Sequence, residues 1–123
     1  MKIYVAGHNQ DDSRKVANSL KDVGHKITST WLEEDFKKVD SYNQEDKMSI
    51  ASKDVHEVVS SDCLVLLASP YRVPGGKFVE VGAALGNNKK VYVLGHRENM
   101  LMWHPLVYQF DSVENLIREL FSK

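Results

Sequence analysis

The sequence lacks the features that mark several large classes of protein. Cys63 is the only cysteine, so an intramolecular disulfide is excluded. No apolar run is long enough to cross a bilayer. The 16 basic and 17 acidic side chains leave a formal net charge of −1, which gives no electrostatic reason to bind nucleic acid or an anionic membrane. Met1 leads directly into a strand-like segment without a signal peptide, and these absences together predict a cytoplasmic protein.

Motifs for phosphate and metal binding are also missing. A Walker A loop needs a glycine five residues before its Gly-Lys pair and a Ser or Thr after it. Gly76-Lys77 has Tyr71 at that upstream position and Phe78 after it. The five histidines form no pair at ligand spacing, and there is no cysteine cluster. We therefore expect neither a metal ion nor an organic cofactor.

Apolar and amphipathic segments alternate along the 123 residues, of which 42% are apolar. Strands are predicted at residues 2–6, 26–31, 62–68, 90–95 and 106–110. Helices are predicted near residues 11–23, 46–60, around Glu80 and at 112–121, with residues 32–45 as a long loop or partial helix. This alternation predicts a single α/β domain, residues 1–123. We expect a three-layer sandwich with a mostly parallel five-stranded sheet, of the flavodoxin/Rossmann-like type.

Two predictions concern burial. The helix at 46–60 carries an apolar stripe that is expected to face the core, formed by Met48, Ala51, Val55, Val58 and Val59. Cys63 lies inside the apolar run DCLVLLA and is predicted to be a buried strand thiol without a chemical role.

Parallel sheets of this kind bind ligands in the crevice beyond the carboxyl ends of their strands. Three predicted loops meet at that edge: the first follows strand one at Gly7, the second spans Ser69 to Gly76, and the third begins at Gly95. Functional side chains are therefore expected in or next to these loops.

Glu80 is the single charged residue in the apolar run FVEVGAAL, at the start of the helix after the Ser69–Gly76 loop. Proximity to a helix N-terminus favours the ionised form, and apolar neighbours keep water away. A carboxylate of that kind is a good nucleophile for a sugar anomeric carbon. The alternative is a solvated residue of the first helical turn, and the pattern alone favours neither.

Two further side chains are candidates for the same site. Asp54 borders the apolar stripe of the preceding helix, and by itself it is equally a boundary residue with its carboxylate in water. Tyr4 lies inside the strand KIYVA, where a buried phenol needs a hydrogen-bond partner for its hydroxyl. Simple core packing of Tyr4 is the competing interpretation.

Three segments resemble the nucleoside 2-deoxyribosyltransferase family and its relatives, the 2′-deoxynucleoside 5′-monophosphate N-glycosidases. They are IYVAG at 3–7, KDVHEVVSSDCLVLLAS at 53–69 and GGKFVEVGAALGNNKKVYVLG at 75–95. The resemblance implies an enzyme in which Glu80 attacks C1′ of a (deoxy)nucleoside, Tyr4 holds Glu80, and Asp54 acts as acid/base or hydroxyl anchor. It further implies a substrate site lined by Gly7, His8, Trp31, Ser69, Gly75 and Gly76.

Members of this family are homo-oligomers, and the apolar segment Met100–Trp103 is the interface candidate in this chain. The resemblance leaves three functions open. The first is transfer of the sugar to another base. The second is hydrolysis of a nucleoside 5′-monophosphate, although His8 and Gln10 stand where those hydrolases carry Ser and Arg. The third is non-catalytic nucleotide binding.

Overall fold

A computed structural model describes residues 1–35 and 41–121. Five strands, β1 to β5, form one sheet: Lys2–Ala6, Lys26–Ile27, Cys63–Leu67, Lys90–Leu94 and Val107–Phe110. Four α-helices, α1 to α4, connect and follow them: Gln10–Asp22, Gln44–Val59, Gly76–Gly86 and Val113–Leu116. Two 3₁₀ helices, Thr30–Glu33 and Met100–Trp103, lie after β2 and before β5, and a π-helical turn, Ile117–Phe121, extends α4.

The sheet order is β2-β1-β3-β4-β5, and every strand pair in the described residues is parallel. This confirms the predicted α/β class with a five-stranded sheet. The centres of β1, β3 and β4 are buried because helices cover the sheet on both faces, as the apolar runs predicted, whereas the centre of the edge strand β5 is exposed. Cys63 is buried as expected, and burial raises the pKa of its thiol to about 12. Within the described ranges, no helix has the length and apolar character of a membrane span.

The second strand is much shorter than predicted. Only Lys26–Ile27 pair with β1, and the chain then turns into the 3₁₀ helix at Thr30. Side chains take over the role of the backbone ladder there, because Ser29 Oγ accepts the N–H of Val5 at 3.0 Å. The β-branched sequence KITSTW therefore forms a strand only at its beginning, and Trp31 belongs to a helical turn.

The predicted apolar stripe of α2 does not face the core. Val58 is buried, but Met48, Val55 and Val59 are 61%, 42% and 38% exposed. A cleft beside this helix, lined by Ala51 and Val55, accounts for the exposure of that part of the stripe. The helix itself was predicted within about two residues of its observed bounds.

Three other predictions need correction or lie partly outside the described residues. The predicted single helix at 112–121 is a four-residue α-helix followed by a π-helical turn, in which Leu120 is exposed. Met102 in the apolar segment 100–103 is buried, whereas Met100, Leu101 and Trp103 are exposed. Of the predicted loop at 32–45, residues 36–40 lie outside the described residues.

Candidate active site

A cleft of about 470 Å³ lies at the carboxyl edge of the sheet, beside β1, α2 and the N-terminal part of α3. It contains residues from four separate segments of the chain, which the parallel topology brings to one edge. The lining residues are Gly7, His8, Trp31, Glu34, Ile50, Ala51, Asp54, Val55, Pro74, Gly76, Lys77, Val79 and Glu80.

Glu80 and Tyr4 are joined in this region by a hydrogen bond. Tyr4 is fully buried in β1, and its hydroxyl donates to Oε2 of Glu80. Glu80 is the fifth residue of α3 and only partly buried. Burial and the neighbouring Glu80 carboxylate raise the pKa of the Tyr4 hydroxyl far above its ordinary value, so this hydroxyl is a permanent donor.

Burial raises the pKa of Glu80 from its ordinary 4.5 to about 7. The hydrogen bond from Tyr4 lowers that pKa, while the charges of Asp54 and Glu57 raise it further. The expectation that the helix N-terminus favours the ionised form was wrong for this position. Glu80 lies beyond the first turn of α3, where the helix dipole has little effect, and desolvation outweighs it.

Asp54 projects from α2 into the same cleft. Its Oδ1 is buried and has no hydrogen-bond partner among the described residues. Burial and the charge of Glu57 raise the pKa of Asp54, and Lys53 opposes them. Asp54 is therefore a partly desolvated carboxyl group whose protonated form is favoured more than in water.

One wall of the cleft is the 3₁₀ helix Thr30–Glu33 with Glu34, and side chains from two helices hold it. Gln10 of α1 donates from Nε2 to the carbonyls of Trp31 and Glu34, at 3.0 and 2.8 Å. Trp31 in turn donates from Nε1 to the carbonyl of Val5 at 2.8 Å. The wall is thus fixed to α1 and to β1.

Helix α2 holds the same wall from the opposite side. Glu57 accepts the N–H and the hydroxyl of Thr30, at 3.1 and 2.7 Å. Lys53 pairs with the carboxylate of Glu34 at 2.7 Å. Because Lys53, Asp54 and Glu57 occupy one helix, the contacts that fix the wall also fix Asp54 beside it.

The structure brings most of the predicted site residues together, but not all of them. Tyr4 contacts Glu80, and the cleft is lined by Glu80, Asp54, Gly7, His8, Trp31 and Gly76. Gly75 is the N-cap of α3, next to the lining residue Gly76. Ser69 lies instead in a neighbouring cavity of about 420 Å³, where its hydroxyl accepts a hydrogen bond from Lys77.

Sequence reasoning missed Gln10, Glu34, Lys53 and Lys77. Each is a common polar residue at an unremarkable position, and only the packing shows its partner. A weak signal existed for Lys77, because a cation in the first turn of an apolar helix opposes the helix dipole. In the part of the chain described, no cluster of His, Cys, Asp and Glu has the composition of a metal site.

The fold and site define a flavodoxin-like α/β protein with a partly desolvated carboxylate pair at the carboxyl edge of its sheet. The family model for nucleoside 2-deoxyribosyltransferase matches residues 3–117. The chain therefore belongs to the nucleoside 2-deoxyribosyltransferase family, and it is an enzyme of N-glycosyl bonds whose substrate is a small nucleoside or nucleotide.

Two solved structures share the fold. A 2-deoxyribosyltransferase from Bacillus psychrosaccharolyticus superimposes with a TM-score of 0.78 and 21% identity, over 99% of this chain and 94% of that chain. The CMP N-glycosidase BcmB of Clostridium botulinum superimposes with a TM-score of 0.62 and 13% identity, over the full length of both chains. None of the curated protein sequences is significantly similar to the chain.

Proposed function

We propose that the protein cleaves the N-glycosyl bond of a 2′-deoxynucleoside through a glycosyl ester on Glu80 and transfers the sugar to a second base. The hydrogen bond between Tyr4 and Glu80, beside a cleft that also contains Asp54, carries this proposal. Tyr4 engages Oε2 and leaves Oε1 of Glu80 for the substrate. A carboxylate held at one oxygen is preorganised for attack through the other.

In the first step Oε1 of Glu80 forms a bond to C1′ while the bond from C1′ to the base nitrogen breaks. The electron pair of that bond goes to the base, which takes a proton from the carboxyl group of Asp54. Burial and Glu57 raise the pKa of Asp54, so the protonated form that this step needs is more accessible than it would be in water. The product is a glycosyl ester together with a free base.

In the second step a nitrogen of the acceptor base attacks C1′, and the ester bond to Glu80 breaks. Asp54 takes the proton that this nitrogen loses, so both carboxyl groups return to their starting states. With water in place of the base, the same steps give hydrolysis and a free sugar. Tyr4 keeps its hydrogen bond to Oε2 and stabilises the carboxylate as it is released.

The charges of the cleft favour a nucleoside over a 5′-monophosphate. Glu34, Asp54 and Glu80 all contribute carboxyl groups to the lining. Lys77 also lines the cleft, but its Nζ donates to three protein acceptors at 2.7 to 3.1 Å and has no donor left for phosphate. A phosphate dianion would face this negative lining with His8 as the one other basic side chain among the described lining residues.

The apolar part of the lining favours a base over water as acceptor. Val55 and Val79, which are 42% and 65% exposed, line the cleft together with Trp31. Planar bases bind between apolar side chains of this kind, because the contact removes apolar surface from water. Water would leave the same surfaces exposed.

The test is incubation with a panel of nucleosides and 5′-monophosphates, with and without an acceptor base. We expect base exchange on nucleosides and none with Glu80→Ala. A 2-fluoro-2-deoxy nucleoside should leave a stable sugar adduct on Glu80, visible by peptide mass spectrometry. Release of base from monophosphates alone would favour the hydrolase. Nucleotide binding with neither turnover nor adduct would refute catalysis at this site.

We also propose that the enzyme is a cytoplasmic homo-oligomer that uses the exposed turn of Met100, Leu101 and Trp103. The side chains of these three residues are 81%, 71% and 66% exposed, which is high for apolar residues. Arg97 lies 4.4 Å from the ring centre of Trp103, so a polar rim borders the patch. Sedimentation should show a multimer for the natural chain and a smaller species for Leu101→Asp.

A further inference from the structure

Lys77 and Glu98 form a buried ion pair that the proposed chemistry does not use. Lys77 Nζ lies 2.7 Å from Oε1 of Glu98, and their side chains are only 1% and 11% exposed. A buried ion pair of this kind seldom makes a net contribution to stability, because the free energy of desolvating both charges offsets their attraction. The cation also lies in the first turn of α3, where the helix dipole opposes it.

The contacts of Lys77 connect α3 to the carboxyl end of β3. Its Nζ donates to the carbonyl of Leu67, the last residue of β3, at 3.1 Å and to Ser69 Oγ at 3.0 Å. Glu98, from the loop after β4, also accepts the N–H of Ser69 at 3.0 Å. All three ammonium hydrogens therefore have protein acceptors, and two loops are fixed at one point.

The same helix carries Glu80 one turn further on. Residues three apart lie on neighbouring positions of a helix surface, so fixing Lys77 on β3 also determines where Glu80 meets Tyr4 on β1. Strands β1 and β3 are paired directly, from Ile3 with Cys63 to Ala6 with Leu66. Helix α3 is thus held to two adjacent strands at two consecutive turns.

We propose that Lys77 and Glu98 are positioning residues for Glu80, which fix the first turn of α3 on β3 and thereby hold the Glu80 carboxyl group at Tyr4 and away from water. The proposal rests on the proposed function only where it predicts turnover. Its structural part concerns the placement of Glu80 and can be measured in the absence of any reaction.

The titration midpoint of the Glu80 carboxyl group can be measured by ¹³C NMR, with its signal assigned by the loss of that signal in Glu80→Gln. This midpoint distinguishes a positioning role of Lys77 from a direct effect of its charge. The groups around Glu80 are Tyr4 of β1, Asp54 and Glu57 of α2, and Lys77 on its own helix. If Lys77 acted through space, Lys77→Met would raise the midpoint of about 7. If Lys77 positions the helix, the variant admits water to Glu80, and the midpoint falls towards the ordinary range because burial is its main cause.

Lys77→Met leaves Glu98 buried without a cation, so the double variant K77M/E98Q is measured beside it. A matched control for lost stability is Leu116→Ala, a fully buried residue of α4 outside the cleft. We expect a lower midpoint in both Lys77 variants and an unchanged one in the control. A midpoint that stays or rises in K77M/E98Q would overturn the proposal.

Turnover supplies the second measurement. A displaced nucleophile lowers kcat on the order of tenfold or more, while KM changes little because the cleft walls remain. Leu116→Ala should lower Tm and leave kcat unchanged below its melting range. If K77M/E98Q lowers Tm alone, the pair is merely structural and the proposal is wrong. If the natural chain turns over no nucleoside, the proposed function fails, and the titration still decides the placement of Glu80.

Discussion

The hydroxyl of Tyr4 donates a hydrogen bond to Oε2 of Glu80, a residue 76 positions later in the chain. The phenol comes from the buried part of β1, and the carboxyl group comes from the helix that follows β3. The hydrogen bond favours the carboxylate, whereas burial favours the acid, and burial has the larger effect. Glu80 is therefore a carboxyl group that titrates near neutral pH.

Glu80→Gln should stabilise the protein at alkaline pH. The pKa of Glu80 is about 7 in the folded protein against an ordinary value of 4.5, so the folded state holds the extra proton between these values. The free energy of unfolding must then fall as the pH rises through this window. A pKa difference of this size corresponds to about 3 kcal/mol at most. Thermal unfolding at pH 8 and pH 4 checks this prediction.

In that comparison we expect Glu80→Gln to have the higher Tm at pH 8 and a Tm close to that of the natural chain at pH 4. Lys77 and Asp54 are unchanged in the variant, so the difference isolates the Glu80 charge. A Tm difference that is the same at both pH values would show that Glu80 does not titrate in this range.

Tyr4→Phe should move the rising limb of the pH profile of kcat/KM to higher pH. The nucleophile must be ionised, so activity is expected to rise with a midpoint of about 7 in the natural chain. The hydrogen bond from Tyr4 lowers the pKa of Glu80, and its loss raises that pKa. Each unit by which the pKa of Glu80 rises lowers kcat/KM about tenfold at pH values below that pKa. Coinciding profiles for the two proteins would show that the hydroxyl does not act on Glu80.

Asp54→Asn should reduce activity according to how much the leaving base needs a proton. We expect kcat to fall on the order of 10²-fold or more with ordinary nucleosides, since general acid catalysis is lost. A 7-methylated purine nucleoside carries a positive charge on its base and leaves without protonation. In a single turnover, release of this base should be nearly unchanged, because the first step then needs no proton from Asp54. An equal loss with both substrates would assign Asp54 to sugar binding instead.

Gly7→Ala should destabilise the loop after β1. A Cβ at Gly7 would lie 2.5 Å from Ser13 Oγ and 3.3 Å from Leu67 Cβ, which are closer than packed atoms allow. We expect Ser13→Ala to recover part of the lost Tm in the double variant, because it removes the nearest atom. Ser13 Oγ has no hydrogen-bond partner among the described residues, so Ser13→Ala alone should cost little. Equal Tm values for the single Gly7 variant and the double variant would contradict this account.

Much of the fold was predictable from local pattern. Apolar runs at Lys2–Ala6 and Cys63–Leu67 gave strands with nearly their observed bounds, because their burial on both faces requires unbroken apolar sequence. The segment at 26–31 was misjudged, since the Ser29 side chain accepts the N–H of Val5 where a backbone carbonyl would have continued the strand pairing. Periodicity also located α2 correctly but assigned its apolar side to the core, although part of that side lines the cleft.

The residues of the candidate site were likewise only partly predictable from the sequence. Glu80 was visible as an isolated charge in an apolar run, and the family resemblance placed Tyr4 and Asp54 with it. Ser69 was assigned to the substrate site from its loop, but its hydroxyl accepts from Lys77 in the neighbouring cavity. Loop membership does not determine which of two adjacent cavities a side chain enters.

By itself, the sequence determined the class of fold, the order of its elements and the one carboxylate that its apolar helix isolates, because these follow from short-range periodicity and composition. The tertiary structure alone decided the wall built by Gln10, Lys53 and Glu57, the ion pair of Lys77 with Glu98, and the raised pKa of Glu80. These properties depend on burial and on contacts between distant segments, and both exist only once the sheet has brought the carboxyl ends of its strands together.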